Sequence, residues 1–161
     1  MGYFDVSQVC LNGHVITRNA RRSLQFQKKF CDRCGAETIM ACPECKTPIQ
    51  GEYHAEGVFV LGSTMGPPPG FCSNCGRPYP WTQRRIEAAS VLANEMENLS
   101  IEEKDILEKS LDSLIRDSPD TELAASRFKR IMAKVGAESY TAMKSILVNV
   151  LSEAAKKTLY P

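Results

Sequence analysis

The chain has 161 residues, 43% hydrophobic and 24% charged, with 20 Lys and Arg against 19 Asp and Glu. That length fits one domain or two small ones with a buried core, and the balanced bulk charge points to no particular partner. Seven cysteines, an odd number, do not suit a closed set of disulfides, and no apolar run reaches the roughly 18 residues of a membrane helix.

Met1 to Asp5 show no basic segment followed by an apolar stretch, so no secretory signal is expected. Val6 stands where myristoylation wants Ser or Thr. The expectation is a soluble, cytoplasmic protein. All seven cysteines, both histidines and six of the nine prolines fall in residues 1–79. This half is short of long apolar runs. It reads as brief extended pieces, Val15–Thr17, Glu37–Ala41 and Tyr53–Leu61, punctuated by Gly and Pro.

The composition shifts near Pro80-Trp81-Thr82, and residues 83–161 contain neither Cys nor His. Four helices are expected there. The first spans 83–98, capped by Thr82, with Ile86, Ala89, Ala93 and Met96 on one face. The second spans 101–115 behind a Ser100/Glu103 capping box, with Leu107, Leu111 and Leu114 aligned. The third follows Ser118-Pro119-Asp120, carries Ala124, Phe128, Ile131 and Val135, and ends at Gly136 as a left-handed C-cap. The fourth runs over about 138–157 with Met143, Leu147, Val150 and Ala154 in a stripe. These stripes are core faces of a helical bundle rather than a cofactor box.

The first half carries four two-ligand turns: Cys10-x3-His14, Cys31-x2-Cys34, Cys42-x2-Cys45 and Cys72-x2-Cys75. Two residues between cysteines make a tight turn that aims both sulfurs at one point. Gly13 lies within the first turn, and Gly follows Cys34 and Cys75, where backbone N–H groups must fold toward sulfur. Eight donors suffice for two four-coordinate structural zinc ions. Disulfides would need an oxidising compartment, and a redox Cys-x2-Cys would need a βαβ context. The set with His14 cannot supply the four thiolates of an iron–sulfur cluster, though the other cysteines formally could.

Consecutive pairing puts Cys10, His14, Cys31 and Cys34 on zinc one and Cys42, Cys45, Cys72 and Cys75 on zinc two. An interleaved, RING-like pairing is the alternative, but this chain lacks the close mid-sequence Cys–His–Cys cluster of that pattern. The resulting expectation is an α+β protein. Tandem zinc ribbons, short antiparallel β-hairpins, occupy 1–82 (ribbon one about 5–36, ribbon two about 37–80). A helical domain of about four helices occupies 83–161. His54 is a ninth donor, read as a strand or surface histidine; its other reading is a substitute ligand or a hydrogen-bond donor to a thiolate.

Cys-x-Asn-Gly-His-Val-Ile at 10–16, Phe-Cys-x2-Cys-Gly-Ala at 30–36, Thr-Ile-x2-Cys-Pro-x-Cys at 38–45 and Phe-Cys-x2-Cys-Gly-x-Pro-Tyr-Pro-Trp-Thr at 71–82 resemble an uncharacterised bacterial family of tandem zinc ribbons with a helical tail. The stretch 124–136 resembles it too. The resemblance implies a bacterial, cytoplasmic, zinc-bound protein and brings no activity with it.

No catalytic constellation stands out, and zinc held by four thiolates, or by three and an imidazole, has no open position for substrate. The chain is therefore expected not to be an enzyme, with no small-molecule substrate and no membrane partner. Gly62–Gly70, rich in proline, lacks the Lys of a phosphate loop and reads as a stiffened surface loop, or as a short polyproline ligand. Between Cys10 and Asp32 lie Arg18, Arg21, Arg22, Lys28 and Lys29 with no acidic residue, and Phe26 and Phe30 are interleaved. Such a stretch suits nucleic-acid backbone and bases, or is a solvated loop.

Residues 83–120 hold five basic and ten acidic residues, and 121–161 hold seven basic and three acidic, with Arg127, Lys129, Arg130 and Lys134 crowding the third helix. Such bands pack as neighbours, or orient a partner or a second copy. The leading expectation is a non-catalytic interaction module or adaptor with a protein partner or self-association through its helices. The alternative is a nucleic-acid binder using loop 18–30 and helix 121–134.

Overall fold

The computed structural model describes residues 1–57 and 66–160. The fold is α+β: small antiparallel sheets come first and five helices follow. The strands are β1 (Tyr3–Val6), β2 (Gln8–Cys10), β3 (Val15–Thr17), β4 (Thr38–Ile39) and β5 (Gln50–His54). β2 is the middle of a three-stranded sheet, in which Val9 faces Val15 on one side and Ile39 on the other, and Cys10 pairs with Thr38. β1 pairs antiparallel with β5, setting Tyr3 opposite His54 and Phe4 opposite Tyr53.

The extended pieces expected at Glu37–Ala41 and Tyr53–Leu61 need correction. The former shrinks to β4, because Ala41 leaves the strand to open the next cysteine turn by bridging Pro48. The latter moves earlier: β5 starts at Gln50 and ends at His54, where its partner β1 runs out. Residues 58–61 of that expected strand, and 62–65 of the proline-rich loop, lie outside the described residues. Within 66–70, the chain is held by Trp81, whose Nε1–H donates to the Pro69 carbonyl at 2.9 Å, and by Thr82, whose hydroxyl donates to the Gly70 carbonyl at 2.9 Å.

The chain divides into two units, Met1–Gln83 and Arg84–Pro161. The first has a small core of Val9, Cys42, Ile49, Cys72, Tyr79 and Trp81, with Tyr79 stacked on Trp81 at 4.7 Å between ring centroids. Both cysteine clusters lie in this one unit.

The helices are α1 (Pro80–Glu95), α2 (Ile101–Leu114), α3 (Thr121–Met132), α4 (Ala137–Leu147) and α5 (Glu153–Leu159). α1 begins with Pro80, whose missing N–H costs nothing in a first turn. Thr82 is therefore inside the helix and fully buried, bonded to Gly70 rather than capping. The capping box of α2 is present: Ser100 Oγ accepts from the Glu103 amide at 3.2 Å, and the Ser100 amide donates to Glu103 Oε2 at 3.1 Å. Gly136 corrects another expectation. Its φ of −64° and ψ of 160° are extended, and it starts α4 instead of ending α3 in a left-handed turn.

The fourth helix is two. Its break falls where the Ser152 amide donates to the Leu114 carbonyl at 2.9 Å and Ser152 Oγ accepts from the Ala155 amide at 3.2 Å, a new N-cap. The break moves the buried stripe on by one residue, from the expected Val150 and Ala154 to Leu151, Ala155 and Leu159. α3 packs against α2 and α5. The helical core holds Leu107, Leu111, Leu114, Phe128, Met132, Met143 and Leu147, each at most 2% exposed. Among the described residues, no helix is long and apolar enough to cross a membrane.

Candidate metal centres

Three of the four turns repeat one local design. In each, the residue before the first cysteine bridges across the turn, Phe30 to Glu37, Ala41 to Pro48 and Phe71 to Pro78. The first cysteine's amide donates back across it, Cys31 to Ala36 at 2.8 Å, Cys42 to Thr47 at 2.8 Å and Cys72 to Arg77 at 2.9 Å. Four residues after that cysteine the backbone is left-handed: Gly35 at φ 68°, Lys46 at 62° and Gly76 at 70°. This conformation suits glycine, and the middle turn places a lysine in it. The turn of Cys10 and His14 differs. It hangs from the end of β2, uses Gly13 at φ 87°, and is packed so closely that a Cβ on Gly13 would sit 3.0 Å from Trp81 Cβ.

The structure brings Cys10, His14, Cys31 and Cys34 into one cluster and Cys42, Cys45, Cys72 and Cys75 into a second, with the donor atoms of each within 4.8 Å of one another. In the first, Cys10 Sγ is 3.7 Å from Cys34 Sγ, and His14 Nδ1 is 3.5 Å from Cys10 Sγ and 3.6 Å from Cys31 Sγ. In the second, Cys42–Cys75 and Cys45–Cys72 sulfurs are 3.8 and 3.6 Å apart. Four donors placed tetrahedrally, with metal–sulfur bonds of about 2.3 Å and a metal–nitrogen bond of about 2.0 Å, would be separated by about 3.8 Å (S to S) and about 3.5 Å (S to N). The donor sets fit a tetrahedral metal ion. They do not fit disulfides, whose sulfurs lie about 2.05 Å apart, and all seven cysteines are free thiols.

Polar groups also converge on the sulfurs. The His14 amide donates to Cys10 Sγ at 3.3 Å, Asn12 Nδ2 donates to Cys34 Sγ at 3.4 Å, and Thr47 Oγ1 is 3.3 Å from Cys45 Sγ. Sequence reading missed Asn12 and Thr47. Their signal was position, since each sits two residues from a ligand.

These contacts and the crowding of thiols split the acidities. The Ala36 amide, with Asn12 and His14, draws Cys34 down to about 6. The Thr47 hydroxyl, then Asn74, draws Cys45 down to about 5. The Cys75 and Asn74 amides lower Cys72, while desolvation raises Cys10. The Arg77 amide favours the Cys75 thiolate, but desolvation and the sulfurs of Cys45, Cys72 and Cys42 together push Cys75 up to about 11. Desolvation, then the neighbouring cysteines, also raises Tyr79. Each cluster thus contains a sulfur that surrenders its proton readily and one that keeps it. A bound cation would displace the retained protons.

A match to a protein family described as uncharacterised and conserved in bacteria, DUF2321, spans residues 3–159. The chain belongs to that family. No curated protein and no solved structure matches the sequence.

His54 stands outside both clusters. Its Nε2 lies 2.6 Å from Asn19 Oδ1 and its Nδ1 2.7 Å from Arg22 Nη1. The basic loop residues have several fates. Arg18 Nη2 donates to the Gly66 carbonyl at 2.5 Å, and Lys28 pairs with Asp32 at 2.5 Å. Arg21 is exposed, and Lys29 Nζ lies 5.5 Å over the Phe30 ring. Phe26 and Phe30 are 57% and 54% exposed, so Phe30 is not packed into its cysteine turn. On α3, Arg127, Lys129 and Arg130 are exposed; Lys134, expected in the same helix, falls just past its end, is exposed too, and pairs with Glu103 of α2, whose carboxyl is held low by Lys134 first and also by Arg130. The acidic and basic helices therefore pack as neighbours and partly neutralise one another.

Proposed function

We propose that this is a non-catalytic, cytoplasmic interaction module or adaptor whose two structural zinc ions hold tandem ribbons in shape. The observation that carries this reading is the pair of complete four-donor sets, three sulfurs with one imidazole nitrogen and four sulfurs, at tetrahedral separations. Four protein donors saturate a zinc ion and leave no position for substrate or water, and thiolates donate too much charge for a strong Lewis acid. Cys10, His14, Cys31 and Cys34 would hold one ion, and Cys42, Cys45, Cys72 and Cys75 the other. Zinc suits the mixed sulfur and nitrogen set, and a reducing compartment keeps such thiols free.

A rigid ribbon displays loops, while the helical unit supplies a separate face for a protein partner or a second copy. Val91, Ile101 and Leu123 in that unit are 58%, 85% and 51% exposed. Elemental analysis of the purified chain tests the metal reading, with two equivalents of zinc expected; fewer than two after expression in zinc-replete medium overturns it. Sedimentation alone and with captured partners tests the adaptor reading, and Leu123→Asp is expected to weaken whatever assembly forms.

A further inference from the structure

Among the described residues, the exposed large aromatic side chains all belong to the first unit: Tyr3, Phe4, Phe26, Phe30 and Tyr53. The two phenylalanines of the basic loop are the most exposed of them. Leu24, two residues before Phe26, is 68% exposed, and the 3-10 turn Leu24–Phe26 that carries both has no buried residue.

Their backbone is firmly held. The Ala20 amide donates to the Val6 carbonyl at 2.9 Å, and Gln27 Nε2 donates to the Ala20 carbonyl at 2.7 Å. Gln8, only 5% exposed, clamps Lys28 from both sides: its Nε2 donates to the Lys28 carbonyl at 2.8 Å, and its Oε1 accepts from the Lys28 amide at 3.1 Å. Thr38 donates its hydroxyl to the same carbonyl at 2.5 Å and its amide to the Lys29 carbonyl at 3.2 Å. Phe30 then bridges Glu37 beside the Cys31 turn. Solvent exposure of apolar rings on a backbone fixed by a buried glutamine is not the pattern of a floppy loop. The ordering cost of presenting the rings is met before any ligand arrives.

We infer that this loop is a contact face for single-stranded nucleic acid, with Phe26 and Phe30 stacking on bases and Arg21 and Lys29 meeting the phosphates between them. Three observations select this ligand. Residues 18–30 carry five cations and no acid, and although Lys28 pairs with Asp32 and Arg18 is held by the Gly66 carbonyl, the exposed Arg21 and Lys29 leave the loop positive, which suits an anionic partner. Bases offer flat faces that stack on an exposed ring without needing a groove, whereas the apolar side chains of an acidic peptide need one. A cleft of about 290 Å³ among the described residues of this unit is lined by Phe4, Asp5, Arg21, Ile49 and Ser73 among others, and neither Phe26 nor Phe30 is in its lining. A duplex hides its base faces and is bound less well. The inference rests on the metal reading to the extent that the Cys31 turn anchors Phe30, and it gives the adaptor a second kind of partner.

The test uses the full chain, with zinc content and circular dichroism measured on each sample. Fluorescence anisotropy follows binding of a labelled 20-mer of deoxythymidine and of a labelled mixed-sequence duplex. Micromolar affinity for the single strand at 50 mM salt is expected, falling about 7-fold at 200 mM if about two phosphates are contacted, one by each cation. Phe26→Ala/Phe30→Ala is expected to lose about tenfold or more with zinc content unchanged, and Arg21→Ala/Lys29→Ala to flatten the salt slope. The inference is overturned by no anisotropy change at about 100 μM protein and 50 mM salt, by unaltered binding of the double phenylalanine variant, or by tighter binding of a labelled peptide of alternating Glu and Phe. The zinc count on the same samples reads the metal proposal separately.

Discussion

Met1–Gln83 gathers six buried side chains into its core cluster, and two of them, Cys42 and Cys72, are candidate metal ligands. Arg84–Pro161 gathers seventeen, all aliphatic or thioether apart from the Phe128 ring. The units are of similar length, so the contrast concerns what closes each fold. Burial of apolar surface contributes roughly 25 cal/mol per Å², which serves the helices well. The strands have too few such side chains, and under the proposed metal reading an ion at each cysteine cluster would supply what they lack. Fold stability in the first unit would then be a property of coordination chemistry, responsive to chelators and protons.

The largest expected effect tests this contrast directly. A strong chelator is expected to collapse the dispersed amide resonances of β1 to β5 while the helical circular dichroism largely survives. The effect is large because a structural zinc site is worth about 10–16 kcal/mol of apparent binding free energy in small peptides. Loss of both signals together would show that the helices depend on the metal too.

Acid comes next. Cys34 and Cys45, at about 6 and about 5, lie below the ordinary thiol value of 9.0. A group whose folded pKa is depressed contributes fully above its ordinary value and loses that contribution as pH falls through the folded one. In the metal-free chain, first-unit stability should therefore fall as pH drops from about 9 toward 5, while Cys75, pushed up to about 11, acts in the opposite direction and only between about 9 and 11. In the metal-loaded chain protons compete with the ion for the same sulfurs, so acid should release zinc, followed with a colorimetric indicator. The helical signal should be steady through the same range.

The converse experiment attacks the helices. Leu111, fully buried, when changed to Ala should cost the second unit about 2–5 kcal/mol in urea denaturation, with bound zinc unchanged. Smaller effects sharpen the account of the turns. Gly35→Ala has room for its methyl group, so its cost is the left-handed backbone alone, about 1 kcal/mol. Lys46→Gly relieves the same conformation and should stabilise by up to about 1 kcal/mol, less what is lost with the Lys46 Nζ bond to the Pro43 carbonyl. Both are read as shifts in the chelator concentration that unfolds the first unit.

The sequence was most readable where structure is local. Cys-x2-Cys spacing, the Ser100/Glu103 box and the stripes through Leu107 and Phe128 depend on neighbours a few residues away, and each is visible as a pattern. What escaped depends on distant partners. β1 needs β5, some fifty residues on, and its outward Tyr3 and Phe4 gave no clean alternation. The break between α4 and α5 has no Pro or Gly to announce it, because it is drawn by the Leu114 carbonyl. Thr82 looked like a cap since Thr often is one, yet Pro80 had already begun the helix and Gly70 took the hydroxyl. The loop of Phe26 and Phe30 was legible as a basic and aromatic stretch, but what fixes its backbone was not, because Gln8 grips Lys28 across twenty residues.

Trp81 is the chain's single tryptophan. It lies 3% exposed against Tyr79, in the cluster that includes Cys42 and Cys72, and belongs to the first unit. Intrinsic emission excited at the red edge of indole absorption thus watches the sulfur-rich core and is blind to the second unit, Arg84–Pro161, whose aromatic residues are Phe128, Tyr140 and Tyr160. The protein carries its own optical gauge of that core, one that needs neither label nor mutation.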